Sequence, residues 1–226
     1  MSLSIVNTRA KLGLKAPRVS VEVHLSNGLP AFNIVGLPET AVKESKDRVR
    51  SAIINSKFEF PNRRITVNLA PAELPKSGSR FDLAIAIGIL AASEQVPKPA
   101  LLDYEFIGEL ALSGDLRGLE GVLPSAMACA EAKKKLIISH ENANEILLIE
   151  SITILAASNL LEVSAHLFKS QLIPPWKQSL AAISVSHPEL REVLGQKQAK
   201  RALEIAACGG HHMLLFGPRY RQVYAR

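Results

Sequence analysis

Residues 64–92 read R-I-T-V-N-L-A-P-A-E-L-P-K-S-G-S-R-F-D-L-A-I-A-I-G-I-L-A-A, and this stretch sets the fold. Apolar and polar residues alternate over 65–69, which predicts a strand, since successive side chains of an extended chain point to opposite faces. Residues 70–78 carry Pro71, Pro75 and Gly78 and read as a loop. Ser79 and Asp82 have capping-box spacing and open a helix that runs to about residue 93. That helix is apolar nearly all round, so none of its faces belongs in water. Its place is the centre of the domain.

Upstream, residues 3–12, 18–25 and 31–35 read as short strands, the second alternating Val19, Val21, Val23 and Leu25 with polar residues. Asn27-Gly28 is a turn signal, so these strands are expected to form hairpins. Pro38 and Glu39 start a helix to about residue 56, with Val42, Val49, Ala52 and Ile53 as its buried face. Lys43, Lys46, Arg50 and Lys57 lie along one side of that helix, a stripe that faces either phosphate or plain solvent. Downstream, 106–112 is a strand, 113–115 a turn, 116–119 the returning strand and 124–133 a helix. Strands at 136–138 and 152–155 alternate with helices near 141–147 and 158–168. The expected fold class is α/β.

The domain is expected to cover 1–172, with a linker over 173–190 and the start of a second unit over 191–226. A hydrophobic content of 47% with 21% charge gives a chain with a real core, and the apolar run at 83–92 is about half of what a membrane span needs. No basic segment followed by an apolar one opens the chain, so a cytoplasmic location without a signal peptide is expected. Cys129 and Cys208 are expected to be buried thiols. The net charge of +6 is uneven: residues 189–226 hold seven Lys or Arg against three acidic residues, and residues 1–188 hold twenty against eighteen. Overall basicity therefore says little about nucleic acid, but the stretch 43–80, with nine basic and four acidic residues, says more. His24, His140 and His166 are isolated, and adjacent His211 and His212 face opposite ways, so no metal site is expected.

Residues 71–90 and 106–124 resemble two motifs of the Lon-protease domain. The first supplies a nucleophilic Ser before a central helix, and the second a Lys that activates it. Aligned on Pro75-Lys76-x-Gly78 and on Gly108-Glu109 with Gly121, the Ser position holds Arg80 and the Lys position Leu123. A guanidinium is no nucleophile at neutral pH and an aliphatic chain takes no proton, so catalysis is not expected. Arg80 and Lys76 would either bind an anion there, or Arg80 would pair with Asp82 or Glu73. A degenerate peptidase or a protein-interaction domain without a DNA role is the alternative.

Longer motifs extend the likeness to residues 1–218: G-L-P-A-F-N-I-V-G-L-P at 28–38, A-V-K-E-S-K-D-R-V-R at 41–50, the run at 64–83 quoted above, and G-Q-K-Q-A-K-R-A-L-E-I-A-A at 195–207. On these the chain is identified as a member of the magnesium-chelatase-like competence protein family (ComM, also YifB). The resemblance implies a Lon-like N-terminal domain, of the fold also seen in ribosomal protein S-five, followed by an AAA+ ATPase module. For intact members it implies ATP and magnesium as cofactors and a hexameric motor that drives DNA branch migration in natural transformation. In this chain the approach to a P-loop ends at Gly217-Pro218. Residues 219–226 hold no Gly, Lys, Ser or Thr, so no nucleotide cofactor is expected for it. Back-translated and shifted by two bases, that tail reads P-G-T-G-K-S-M-L-A, which completes a Walker A loop. The expectation is a frameshifted reading of a longer ATPase gene. The N-terminal domain itself either organises a ring of homo-oligomeric partners or contacts DNA through Lys43, Lys46, Arg50, Lys57, Arg63, Arg64, Lys76 and Arg80.

Overall fold

Valines at every second position give the first sheet its inner face. Strands β1 (Ser2–Arg9) and β2 (Arg18–Ser26) pair antiparallel from Ser2↔Leu25 to Arg9↔Arg18. Val19, Val21, Val23 and Leu25 all face the core. The computed structural model describes residues 2–147, 149, 151–177 and 189–215.

The expected second hairpin does not form. Strand β3 (Ala31–Val35) is followed by helices α1 (Thr40–Lys43) and α2 (Ser45–Asn55), and then by β4 (Arg64–Ala70). β4 inserts between β2 and β3, antiparallel to the first and parallel to the second, giving the order β1-β2-β4-β3. Ile65, Val67 and Leu69 put β4 in a central position, where both of its edges are paired. The helices are the crossover that parallel pairing requires. Their buried residues include the expected Val42, Val49, Ala52 and Ile53, although the helix breaks at Glu44.

Helix α3 (Asp82–Ala92) is buried at all eleven positions, as its composition requires. Leu83, Ile85, Ile87, Ile89 and Leu90 are fully covered, each contributing about 1.5–3 kcal/mol relative to exposure. Gly88 lets the helix lie close on the sheet. A Cβ there would stand 2.6 Å from the Val23 Cγ2. The expected capping box is absent: Ser79 does not cap the helix, and its hydroxyl goes to Glu109.

The expected strand at 106–112 divides at Gly108 into β5 (Tyr104–Phe106) and β6 (Glu109–Leu110). Gly108 spends its backbone groups on the α3 entrance, accepting from Leu83 N at 3.1 Å and donating to Arg80 O at 3.2 Å. β6 pairs with β7 (Leu116–Arg117). Helix α4 (Leu123–Glu131), β8 (Lys135–Ser139), β9 (Ile154–Ala157) and α5 (Leu160–Leu167) follow, and β5-β8-β9 form a parallel sheet. In place of a helix near 141–147 there is a 3-10 turn at His140–Asn142, whose Glu141 and Asn142 side chains bond the Gly118 and Leu119 amides.

The first compact unit spans 1–178. It continues past 172 because Ile173 is buried and Trp176 donates its backbone N–H to Ile154 O at 2.8 Å. The second unit is 179–226; its described part contains α6 (Lys197–Gly209), ended by Gly210 in a left-handed conformation. Residues 211–215, on the approach to Gly217-Pro218, carry no regular structure. Cys129 is buried, but Cys208 on α6 is exposed, contrary to expectation. Among the described residues no helix is long and apolar enough to cross a membrane.

Candidate functional site

The loop between β4 and α3 and the turn before α4 converge on Arg80. Its side chain is buried; Nη1 donates to Ser125 Oγ and Nη2 to Glu120 O, both at 3.3 Å. Glu120 and Ser125 bracket Leu123 at the first turn of α4. The Arg80 side chain thus reaches the turn that carries Leu123, and neither residue offers a group fit for acyl transfer. Burial pulls the Arg80 pKa below its ordinary value.

Arg80 pairs with neither Asp82 nor Glu73. Asp82 is fully buried and bonded to Arg48, whose Nε lies 2.7 Å from Oδ2 and Nη2 3.2 Å from Oδ1. The Ser45 hydroxyl also donates to Asp82, as does Leu110 N at 3.4 Å. Burial pushes the Asp82 carboxyl above the usual carboxylate range, against the pull of Arg48 and Ser45. Sequence patterning gave Arg48 no role, because its position in a basic stretch hides a cation turned inward.

Lys76 is fully buried. Its ammonium donates to Gly36 O at 2.8 Å and also to Pro71 O, and its own carbonyl accepts from Glu39 N at 3.1 Å. It ties the turn after β3 to the loop after β4, and burial lowers its pKa. Lys76 and Arg80 are thus removed from the expected phosphate-facing set. Both are sequestered by backbone and hydroxyl acceptors, out of reach of a phosphate on the surface.

Six of the expected basic residues remain near the surface. Lys43, Arg50, Lys57, Arg63 and Arg64 are exposed and Lys46 is partly so. Among the described residues none of the six lies in an ion pair. The Arg50 guanidinium carbon sits 5.1 Å above the Phe60 ring centre, and Phe32 lies 6.0 Å from the same ring at 45°. These aromatics went unnoticed in the sequence, where the signal was F-E-F-P-N-R-R at 58–64. Gly217 and Pro218, the P-loop remnant, lie outside the described residues.

Lon protease 2 of Bacillus subtilis is 30% identical over 184 residues, 74% of this chain and 32% of that protein. These features define a mixed α/β domain with Lon-like similarity. Residues 21–142 match the family described as subunit ChlI of Mg-chelatase, and residues 189–220 match magnesium chelatase, subunit ChlI. The chain belongs to this magnesium-chelatase-like family. YifB of Salmonella typhimurium is 53% identical over 219 residues, covering 96% of this chain and 43% of that protein. The competence protein ComM of Haemophilus influenzae is 50% identical over 223 residues, 96% of this chain and 44% of its own length. The chain thus spans less than half the length of these relatives.

Proposed function

We propose that residues 1–178 act as a non-catalytic, DNA-contacting domain of a competence-type AAA+ ATPase. What supports this is the set of six unpaired cations on α1, α2, the 56–63 loop and the first residue of β4. Among the described residues none of these cations is held in an ion pair, so each is free to meet a phosphate. At full relative length the same reading includes ATP and magnesium, a hexameric ring and branch migration of DNA. For this chain it implies neither peptide cleavage nor ATP hydrolysis. A ring-organising role for the domain is favoured by another observation: Leu12 and Leu14, at the tip of the β1–β2 hairpin, are 51% and 92% exposed.

Fluorescence anisotropy on labelled duplex and single-stranded DNA, titrated with salt, tests the contact. Each phosphate contact steepens the fall of log affinity with log salt by about 0.9 on duplex and about 0.7 on single strands. Changing Lys43, Lys46 and Arg50 together to Gln is expected to cut the slope by about 2 to 3. No affinity at low salt would overturn the contact and leave the ring-organising role.

A further inference from the structure

We propose that the cavity between β3 and the 56–63 loop holds an unpaired base of single-stranded DNA. This deepens the DNA-contact reading and rests on it. The cavity measures about 260 Å³ and is lined by Phe32, Arg50, Phe60, Pro61, Asn62 and Arg63, among others. That is just below the roughly 300–1,000 Å³ of typical ligand sites, so it suits a small group such as a single base.

Three features of the lining fit a base. Phe32 and Phe60 are partly buried against the core, so their rings are held in place rather than free to rotate into solvent. The Arg50 guanidinium, 5.1 Å over the Phe60 ring, is a planar cation fixed in position by that ring. Unpaired bases stack on such aromatic and guanidinium planes. Asn62 is exposed, and its side-chain amide makes no hydrogen bond among the described residues, so it is available to a base edge.

The charge around the cavity selects the strand. Arg50 and Arg63 supply cations for flanking phosphates, and among the described residues no carboxylate lines this cavity. The neighbouring cavity of about 430 Å³ shares Pro61, Asn62 and Arg63 but is also lined by Glu59 and Glu94, which repel a phosphate chain. The strand therefore runs on the α2 side, along Lys46 and Lys43. A base in a duplex is stacked and paired and does not enter a concave site, so single strands are preferred.

The test uses the full chain and a fluorescent oligothymidylate of roughly 16 nucleotides, the upper site size for such grooves. A second oligonucleotide carries 2-aminopurine, whose emission reports stacking. Phe32→Leu and Phe60→Leu keep apolar volume while removing the flat ring, and Arg50→Lys keeps charge while removing the plane. Each is expected to lose about fivefold or more in affinity for the single strand, with the salt slope unchanged, because stacking releases no counterions. The 2-aminopurine emission should change on binding to the parent chain and not to Phe32→Leu. Should Phe60→Leu fail to fold by circular dichroism, Phe32→Leu and Arg50→Lys carry the test. If the parent binds DNA with its full salt slope but the variants bind within twofold of it, the base site is refuted and the phosphate contact stands. A preference for duplex at equal salt refutes the base site too. Absence of any DNA affinity refutes both.

Discussion

Replacing Arg48 with Met tests how α2, which carries Lys46 and Arg50, is held to α3. Asp82 is fully buried, and Arg48 is the cation bonded to it, with its side chain 23% exposed. Removing one partner of a buried ion pair costs about 3–5 kcal/mol. Two details lower that figure. Water can reach the vacated site, and Asp82 keeps bonds from Ser45 and Leu110. We expect a loss of about 2–3 kcal/mol at pH 7. With a urea m-value of about 2–3 kcal/mol/M, the midpoint moves down by roughly 1 M. Trp176, the single tryptophan, donates Nε1–H to Asn144 at 3.2 Å and reports unfolding of this body by fluorescence. The sign of the pH dependence follows from the raised Asp82 pKa. A carboxyl that holds its proton more tightly when folded contributes stability below its unfolded pKa of about 3.9, and loses it as pH rises through the folded value. Without Arg48 that effect strengthens, so the gap between variant and parent should narrow on acidification from pH 7 toward about pH 5. Adding Asp82→Asn to Arg48→Met should recover most of the loss and abolish its pH dependence. A loss under about 1 kcal/mol, or a gap that does not change with pH, would refute the role assigned to this pair.

Arg9 and Glu105 make a buried bidentate pair, with two contacts of 2.7 Å, so Arg9→Met alone should cost about 3–5 kcal/mol in urea unfolding; Arg9→Met with Glu105→Leu should cost far less. Gly88→Ala gains about 1 kcal/mol of helix propensity but drives a Cβ to 2.6 Å from Val23, at about 1–3 kcal/mol. A net loss near 1 kcal/mol is expected, relieved when Val23 is also changed to Ala. Lys76→Met should leave DNA affinity and salt slope unchanged in anisotropy, since that ammonium is buried on backbone carbonyls; Arg63→Gln should flatten the slope by about 0.7 on single strands. Isothermal calorimetry should detect no ATP binding to this chain, because Gln222 and Val223 stand where the P-loop spacing from Gly217 needs Gly and Lys.

The sequence determined the elements that a short repeat of apolar residues can specify. The alternation at 19–25 and 65–69, the all-apolar helix at 82–92 and the inward face of Val42, Val49, Ala52 and Ile53 needed nothing beyond period and burial. The expectation that the Lon dyad is lost likewise came from residue identity, because neither Arg80 nor Leu123 suits that chemistry. Pairing and partnership are different in kind. Asn27-Gly28 signals a turn, but which strand lies beside β2 depends on a competitor nearly forty residues away, and β4 takes that edge. The nine cations of 43–80 look alike in sequence. Only the packed fold turned Arg48, Lys76 and Arg80 inward and left six near the surface. It also brought Phe32 from β3 to Phe60 and Arg50, three residues with no local relation. Long-range neighbours are set by the cheapest way to bury all the apolar surface at once, and no single stretch of sequence carries that sum.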